Sequence, residues 1–319
     1  MHKEGVSIKK LTTIQQFHQC EGLQRRVWGL NDTDVVPLHL LLTAQKSGGL
    51  ALGAFDEEGE MVGFLFGFLG ACEATAQQLK HCSHMMGVLE EWRGRGVGYR
   101  LKLVQREHAL AQGLDLATWT YDPLESLNAA LNIGKLGIVC HTYLRDLYGE
   151  LEDDLNVGLS TDRLQVEWWV ASQRVVHRLA APSSSPPKLG GKEGGQGYRP
   201  SLDTVLESGA QLLNPATAGA DGLVWPSPVP SEPKAETVLV EIPAHLQAIK
   251  AADMGLARHW RAHTREVFER CFAVGYTVTE FVSQMRPFDS PSTGLRTRLR
   301  MQDKLRRSYY VLQRDFEVV

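Results

Sequence analysis

The chain has 319 residues, 43% of them hydrophobic, and a formal charge of -3, enough for one large or two ordinary domains around a sizeable core. The near-balanced charge gives no general basic field, so neither nucleic acid nor an anionic membrane is an expected partner. Five cysteines, Cys20, Cys72, Cys82, Cys140 and Cys271, form an odd, scattered set without a C-x-x-C pair. That pattern points away from a disulfide framework and a thiolate zinc site, and towards a reducing cytoplasm. The polar first ten residues and the short apolar run 61–69 predict neither an export signal nor a membrane helix, which needs about 20 apolar residues.

In chain order, Thr13 followed by Gln16 forms a capping box, and Ile14, Phe17, Val27 and Trp28 suit a helix running to Trp28. Residues 50–55 and 61–69 flank the turn-forming Asp56, Glu57, Glu58 and Gly59, which predicts an antiparallel hairpin. A further strand is expected over 83–89. A helix begins near Gly96 and ends at Gly113, with Val97, Leu101, Val104 and Ala111 on one face and Arg100, Lys102 and Arg106 outside it. Then come a strand over 114–121, a helix over 126–136 closed by Gly137, and strands over 138–144 and 164–170.

From 181 to 233 the chain carries Pro, Gly and Ser clusters and few large apolar residues, which reads as a long linker with one short docked helix over 202–213. Beyond it a strand is expected over 237–242, a helix over 253–274 capped by Gly275, and strands over 276–282 and 308–313. Arg258, Arg261, Arg265 and Arg270 on that helix are expected on a solvated face rather than against an acidic partner. The element order loosely echoes the first region, as a degenerate half-copy would.

The chemistry concentrates between the strand over 83–89 and the helix that follows. Arg93, Gly94, Arg95, Gly96, Val97 and Gly98 lead into a helix start, where unpaired N–H groups bind phosphate. The glycines let main chain approach the anion, and the two arginines add charge-assisted hydrogen bonds. A Walker A loop is excluded because no Lys followed by Ser or Thr closes the segment, and a dinucleotide loop is disfavoured because Leu101 stands where its third glycine belongs.

In these residues the chain resembles the GNAT superfamily of N-acetyltransferases, whose pyrophosphate loop has the form Arg/Gln-x-x-Gly-x-Gly/Ala. The resemblance implies acetyl-CoA, or another acyl-CoA, as cosubstrate. It also implies backbone pairing of the pantetheine arm with the strand containing Met86, Gly87 and Val88, which carries Val88 and Leu89 over as cofactor-binding positions. Downstream, Ser126, Ala129, Lys135, Leu136 and Gly137 match the pattern Asn-x-x-Ala-x-x-x-Tyr-x-Lys-Leu-Gly, which would complete the site with Ser126. Two departures bear on mechanism: Ser126 replaces the usual Asn, and Ile133 replaces the Tyr that would protonate the departing thiolate. Asn128 and Asn132, i and i+4 on a helix, offer amides to the cofactor or to solvent alike. Tyr121, Tyr143 and Tyr148 are substitute proton donors or packing residues.

The resemblance further implies direct attack of an amine on the thioester, which needs a general base and an N–H donor for the oxyanion. Glu90 and Glu91 at the strand end, and Asp122 at the end of its neighbour, are the candidate bases, although acidic residues before a helix also favour its dipole. His81, Cys82 and His84 alternate across a strand, and His259 and His263 share a helix face without the H-E-x-x-H glutamate, so no metal is expected. Trp168 and Trp169 must face opposite sides of their strand.

The expectation is a mixed α/β fold with a mostly antiparallel sheet. It comprises an acetyltransferase domain over 1–178, a linker over 179–235 and a C-terminal α/β region over 236–319 that packs on it or on a partner subunit, leaving room for a homodimer. The expected acceptor is a small-molecule or peptide amine in the cytoplasm. A non-catalytic acyl-CoA-binding regulatory or interaction module is the alternative.

Overall fold

The computed structural model describes residues 5–72, 78–151, 153, 156–180, 200–219, 223–227, 232–283 and 307–318. They group into two compact units that interleave along the chain. One comprises the described residues of Met1–Trp119, Glu152–Val157 and Trp169–Ala171, the other those of Thr120–Leu151, Gly158–Trp168 and Ser172–Val319. A boundary between the units falls after Trp119, and the strand over 139–144 pairs with the strand over 276–283.

In the first unit the elements are β1 (Ser7–Lys10), α1 (Ile14–Trp28), α2 (Leu38–Lys46), β2 (Leu50–Phe55), β3 (Met61–Ala71), β4 (Leu79–Val88), a 3-10 turn (Glu90–Trp92), α3 (Val97–Ala111) and β5 (Leu116–Tyr121). The last two residues of β5 group with the second unit. The strands lie in chain order, and every pairing is antiparallel except that of β4 with β5. α1 starts with the expected capping box, Thr13 and Gln16 exchanging side-chain bonds with each other's backbone N–H. The β2–β3 turn is held by Asp56 Oδ1, which accepts from the N–H groups of Glu58 and Glu60, and Gly59 takes a φ of 84° there.

β3 is buried continuously from Met61 to Gly67, as a strand covered on both faces must be. Paired glycines reveal which helix covers which face. A Cβ on Gly63 would meet Val97 of α3, whereas one on Gly87 would meet Trp28 and Val27 of α1. Since side chains alternate along a strand, Val88 shares the α3 face with its partner Gly63, and Gly87 shares the α1 face with Phe64.

The second unit contains α4 (Ser126–Ala129) continuing into a π-type turn (Ala130–Lys135), β6 (Val139–Leu144), β7 (Arg163–Trp169), α5 (Gln173–Ala180), α6 (Leu202–Glu207), β8 (Gln211–Leu212), β9 (Thr217–Ala218), β10 (Val224–Trp225), β11 (Thr237–Pro243), α7 (Leu246–Ala252), α8 (Met254–Ala273), β12 (Tyr276–Ser283) and β13 (Arg307–Arg314). Its main sheet runs β7-β6-β12-β13-β11-β8, antiparallel except for β11 with β8.

The segment expected as linker is folded where it is described. Only Leu202–Glu207 of the expected 202–213 helix is helical, and Gln211–Leu212 instead joins the sheet as β8. Residues 181–199 lie outside the described set. α8 corrects the sequence reading for Arg261 and Arg265, while Arg258 and Arg270 are exposed as expected. Arg261 is buried and binds Asp122, Arg265 binds Asp162, Arg258 donates to Gly158 O and Arg270 pairs with Glu266. Charge periodicity alone cannot tell a solvated face from one met by carboxylates elsewhere in the chain. The fold class is the mixed α/β arrangement with a mostly antiparallel sheet that the sequence predicts.

Candidate functional site

The loop between β4 and α3 is built around two left-handed residues, Gly94 (φ 74°) and Gly96 (φ 78°), a conformation that costs any residue with a Cβ. Gly96 is the N-cap of α3 and makes no side-chain cap, so the first-turn N–H groups have no intrahelical acceptor. A Cβ placed on Gly96 would meet no atom within 4 Å, and one on Gly98 would come no nearer than Met86 at 3.5 Å and Val88 at 4.0 Å. The space over the helix start is open. Arg95 lays its guanidinium over the Trp92 ring, 5.0 Å from the centroid, and Arg93 Nε donates to Val88 O at 3.0 Å.

The neighbouring edge of β4 is equally open. The parallel ladder with β5 consists of His81 with Ala117 and Cys82 with Thr118, yet β4 continues to Val88. Leu89 N–H bonds Val62 O on the β3 side. By alternation the N–H and C=O of Met86 and Val88 point to the other edge, where Arg93 meets the Val88 carbonyl. At the fork itself β4 carries a bulge: Met85 pairs with Phe66 and Ser83 with Gly67, leaving His84 as the extra residue.

The three acidic candidates differ in their surroundings. Glu90 is exposed, and Glu91, also exposed, lies 3.6 Å from Arg26; both sit beside the loop glycines. Asp122, in the second unit, is already occupied. Its oxygens accept from Arg261 at 2.8 Å and from Leu124 N–H at 2.8 Å, with Arg163 at 3.8 Å. This carboxylate holds an ion cluster together.

The downstream positions of the resemblance also lie in the second unit. Ser126 is buried, its Oγ bonded to Ser308 Oγ at 2.8 Å. Asn128 is exposed, while Asn132 and Ile133 are buried. The i, i+4 pairing of Asn128 and Asn132 is broken because the π-type turn from Ala130 onward changes the helical period. Tyr121 is fully buried against Tyr310, and burial pushes its phenol well above the ordinary value. Tyr143 donates to Asp162, and Tyr148 shares a bond with Thr120. Trp168 is core and Trp169 half-buried, the alternation expected of the pair.

A cluster that the sequence reading misplaced lies under the fork. Lys102 is 2% exposed, not outside the apolar face, because the inward stripe of α3 runs Val97, Leu101, Lys102, Gln105 and Ala109. Its Nζ donates to Ser83 Oγ at 2.9 Å and Gln105 Oε1 at 3.1 Å, and lies 3.5 Å from the Trp119 ring centroid. Ser83 and Trp119 are the first residues of each strand past the last β4–β5 pair. Burial pulls the Lys102 amine well below the ordinary lysine value. Gln105 Nε2 in turn bonds His81 Nε2 at 2.9 Å, which leaves His81 Nδ1 buried without a partner. Burial first, then His108 and Lys102, pull the His81 imidazole down to about 3, so it is neutral at physiological pH. Position within the helical stripe, rather than residue type, was the available signal.

No family model and no curated protein matches the sequence. Solved structures that it is similar to include the NatC complex bound to Gag peptide and CoA, at 14% identity over 51% of this chain and 96% of that one, with a TM-score of 0.40. The ribosomal-protein-S18-alanine N-acetyltransferase from Escherichia coli matches at 13% identity, over 52% and 94% of the two chains, with a TM-score of 0.40. Arabidopsis thaliana NAA60 in complex with acetyl-CoA matches at 10%, over 52% and 99%, with a TM-score of 0.41. Each of these alignments leaves about half of this chain unmatched.

Proposed function

We propose that the chain is an acyl-CoA-dependent N-acyltransferase of the GNAT type, with acetyl-CoA as donor and a small-molecule or peptide amine as acceptor. The observation that carries this reading is the junction of an α3 start without a side-chain cap, entered through left-handed Gly94 and Gly96, with a β4 edge that, among the described residues, is unpaired beyond Cys82. The first-turn amides, Arg93 and Arg95 suit the pyrophosphate. The edge amides of Met86 and Val88 suit a pantetheine arm lying beside β4 as a further strand would. Val88 carries a double duty here, since Arg93 fixes its carbonyl while its N–H remains for the arm.

In the reaction so read, the enzyme orients the thioester, takes a proton from the acceptor ammonium and stabilises the tetrahedral oxyanion. Acetyl-CoA binding measured by calorimetry, followed by thiol release with a panel of amines and peptides, tests the proposal. Amine-dependent release supports transfer. Tight binding with no release across the panel favours the non-catalytic module, a reading that buried Ile133, without a hydroxyl, keeps in view. No binding at all removes both.

A further inference from the structure

We infer that His84 is the general base that takes the proton from the acceptor amine. The inference rests on the acyltransferase reading and deepens it.

His84 is the bulge residue of β4, just past the point where β4 and β5 stop pairing. It is exposed, and it stands on the face opposite α3. There its ring meets Phe66 edge-on, with centroids 6.0 Å apart, and Phe68 at 5.8 Å. Among the described residues its imidazole nitrogens have no hydrogen-bond or ion-pair partner. The half-enclosing surroundings pull its pKa below the ordinary histidine value, which keeps a lone pair available at neutral pH.

Reach supports the position. A pantetheine arm has about a dozen bonds between its phosphate ester oxygen and its sulfur, as many as about four residues of extended backbone. Laid along the open edge from Val88 towards the fork, it ends at the level of His84. Glu90 and Glu91 lie at the other end of the arm, beside the phosphates, and Asp122 is held by Arg261. The bulge thus does what bulges next to active sites do, turning one side chain out of register towards the reacting atoms.

The step balances. His84 takes one proton from the acceptor ammonium, and the neutral nitrogen adds to the thioester carbon. The tetrahedral adduct loses its second N–H proton to solvent and collapses, the C–S bond breaking with its electron pair on sulfur. The imidazolium returns its proton to the thiolate, leaving amide, CoA thiol and one proton in solution.

Two measurements test this, one independent of the acceptor's identity. In protein labelled with nitrogen-15 at histidine, His84→Gln assigns the His84 ring signals by their disappearance. Saturating acetyl-CoA is then expected to shift them in the wild type. Binding seen by calorimetry without movement of those signals overturns the proposal. With an amine that supports thiol release, His84→Gln is expected to bind acetyl-CoA within about twofold of wild type, while turnover falls about 100-fold, the size of a lost general base. Turnover within about threefold of wild type overturns the proposal and leaves the transferase reading intact. A wild-type protein that binds no acetyl-CoA overturns both.

Discussion

Lys102→Met isolates the energetic consequence of placing an amine under the fork. Lys102 is 2% exposed, and its polar contacts are Ser83, Gln105 and the face of Trp119, none of them a carboxylate. Its folded pKa is depressed by burial, so below the ordinary lysine value near 10.4 the unfolded chain binds more protons than the folded one. The stability this group contributes is fully present above about pH 10.4 and is lost, at about 1.4 kcal/mol per pH unit, as pH falls towards the folded pKa. Methionine fills a similar volume and does not titrate. It forfeits two hydrogen bonds worth about 1 kcal/mol each, but that loss is constant with pH. Urea unfolding followed by circular dichroism at pH 8.5 and pH 10 should therefore show the Met variant losing ground to wild type as pH rises, at up to about 1.4 kcal/mol per pH unit. Tyr121 and Tyr310, whose phenols burial raises, titrate alike in both proteins and cancel in the difference. A difference that stays flat with pH would refute the account of a buried, acid-free amine.

Gly96→Ala should destabilise by about 1–2 kcal/mol through its left-handed backbone alone, since its Cβ meets nothing; a thermal melt with no change would contradict the φ assignment. Gly96→Trp should in addition abolish acetyl-CoA binding by filling the open space over the helix start, and retained affinity would move the pyrophosphate elsewhere. Asp122→Asn should cost about 3–5 kcal/mol, because it leaves Arg261 buried without its counter-ion; a variant that melts like wild type yet loses turnover would restore Asp122 as a base. Asp162 is opposed by burial, but bonds from Arg265, Asp146 N–H and Tyr143 outweigh it and lower its pKa. Its contribution is present above the unfolded value near 3.9 and lost as pH falls below it, so acid unfolding of Asp162→Asn should show a shallower slope below pH 4.

The elements legible in the sequence are those with local causes. The Thr13 capping box, the Asp56–Gly59 turn, the start of α3 at Gly96 and the Asp253 cap of α8 all depend on residues within four positions of each other. What escaped depends on distant partners. α2 follows Pro37 without a side-chain cap and carries no start signal beyond an apolar run. Arg261 and Arg265 of α8 looked solvated because Asp122 and Asp162, their partners, lie more than a hundred residues upstream. Of the candidate site, the loop glycines were readable from spacing. The bulge at His84 was not, because a bulge is a property of the register between two strands and leaves no mark in one of them.

Local rules are broken repeatedly within one small part of the first unit. The helix start has no cap, two loop residues are left-handed, a strand edge goes unpaired, a bulge exposes an imidazole, and an amine is buried with no acid beside it. Each departure lowers stability taken alone, and the rest of that unit shows what the sequence does where stability is the aim: a boxed cap, a tied turn and a β3 strand buried on both faces. Departures scattered at random would be tolerated defects. Departures gathered along one line, from the loop at Gly96 down the β4 edge to the fork at Ser83, fit a ligand that supplies the missing partners when it binds: an anion for the helix start and amide groups for the strand edge. Ligand binding should accordingly stabilise the first unit by more than its size suggests, with hydrogen-exchange protection rising at Val97, Gly98 and the edge amides of β4. Protection that rose elsewhere and left those amides exchanging freely would break the link between the line of departures and the bound ligand.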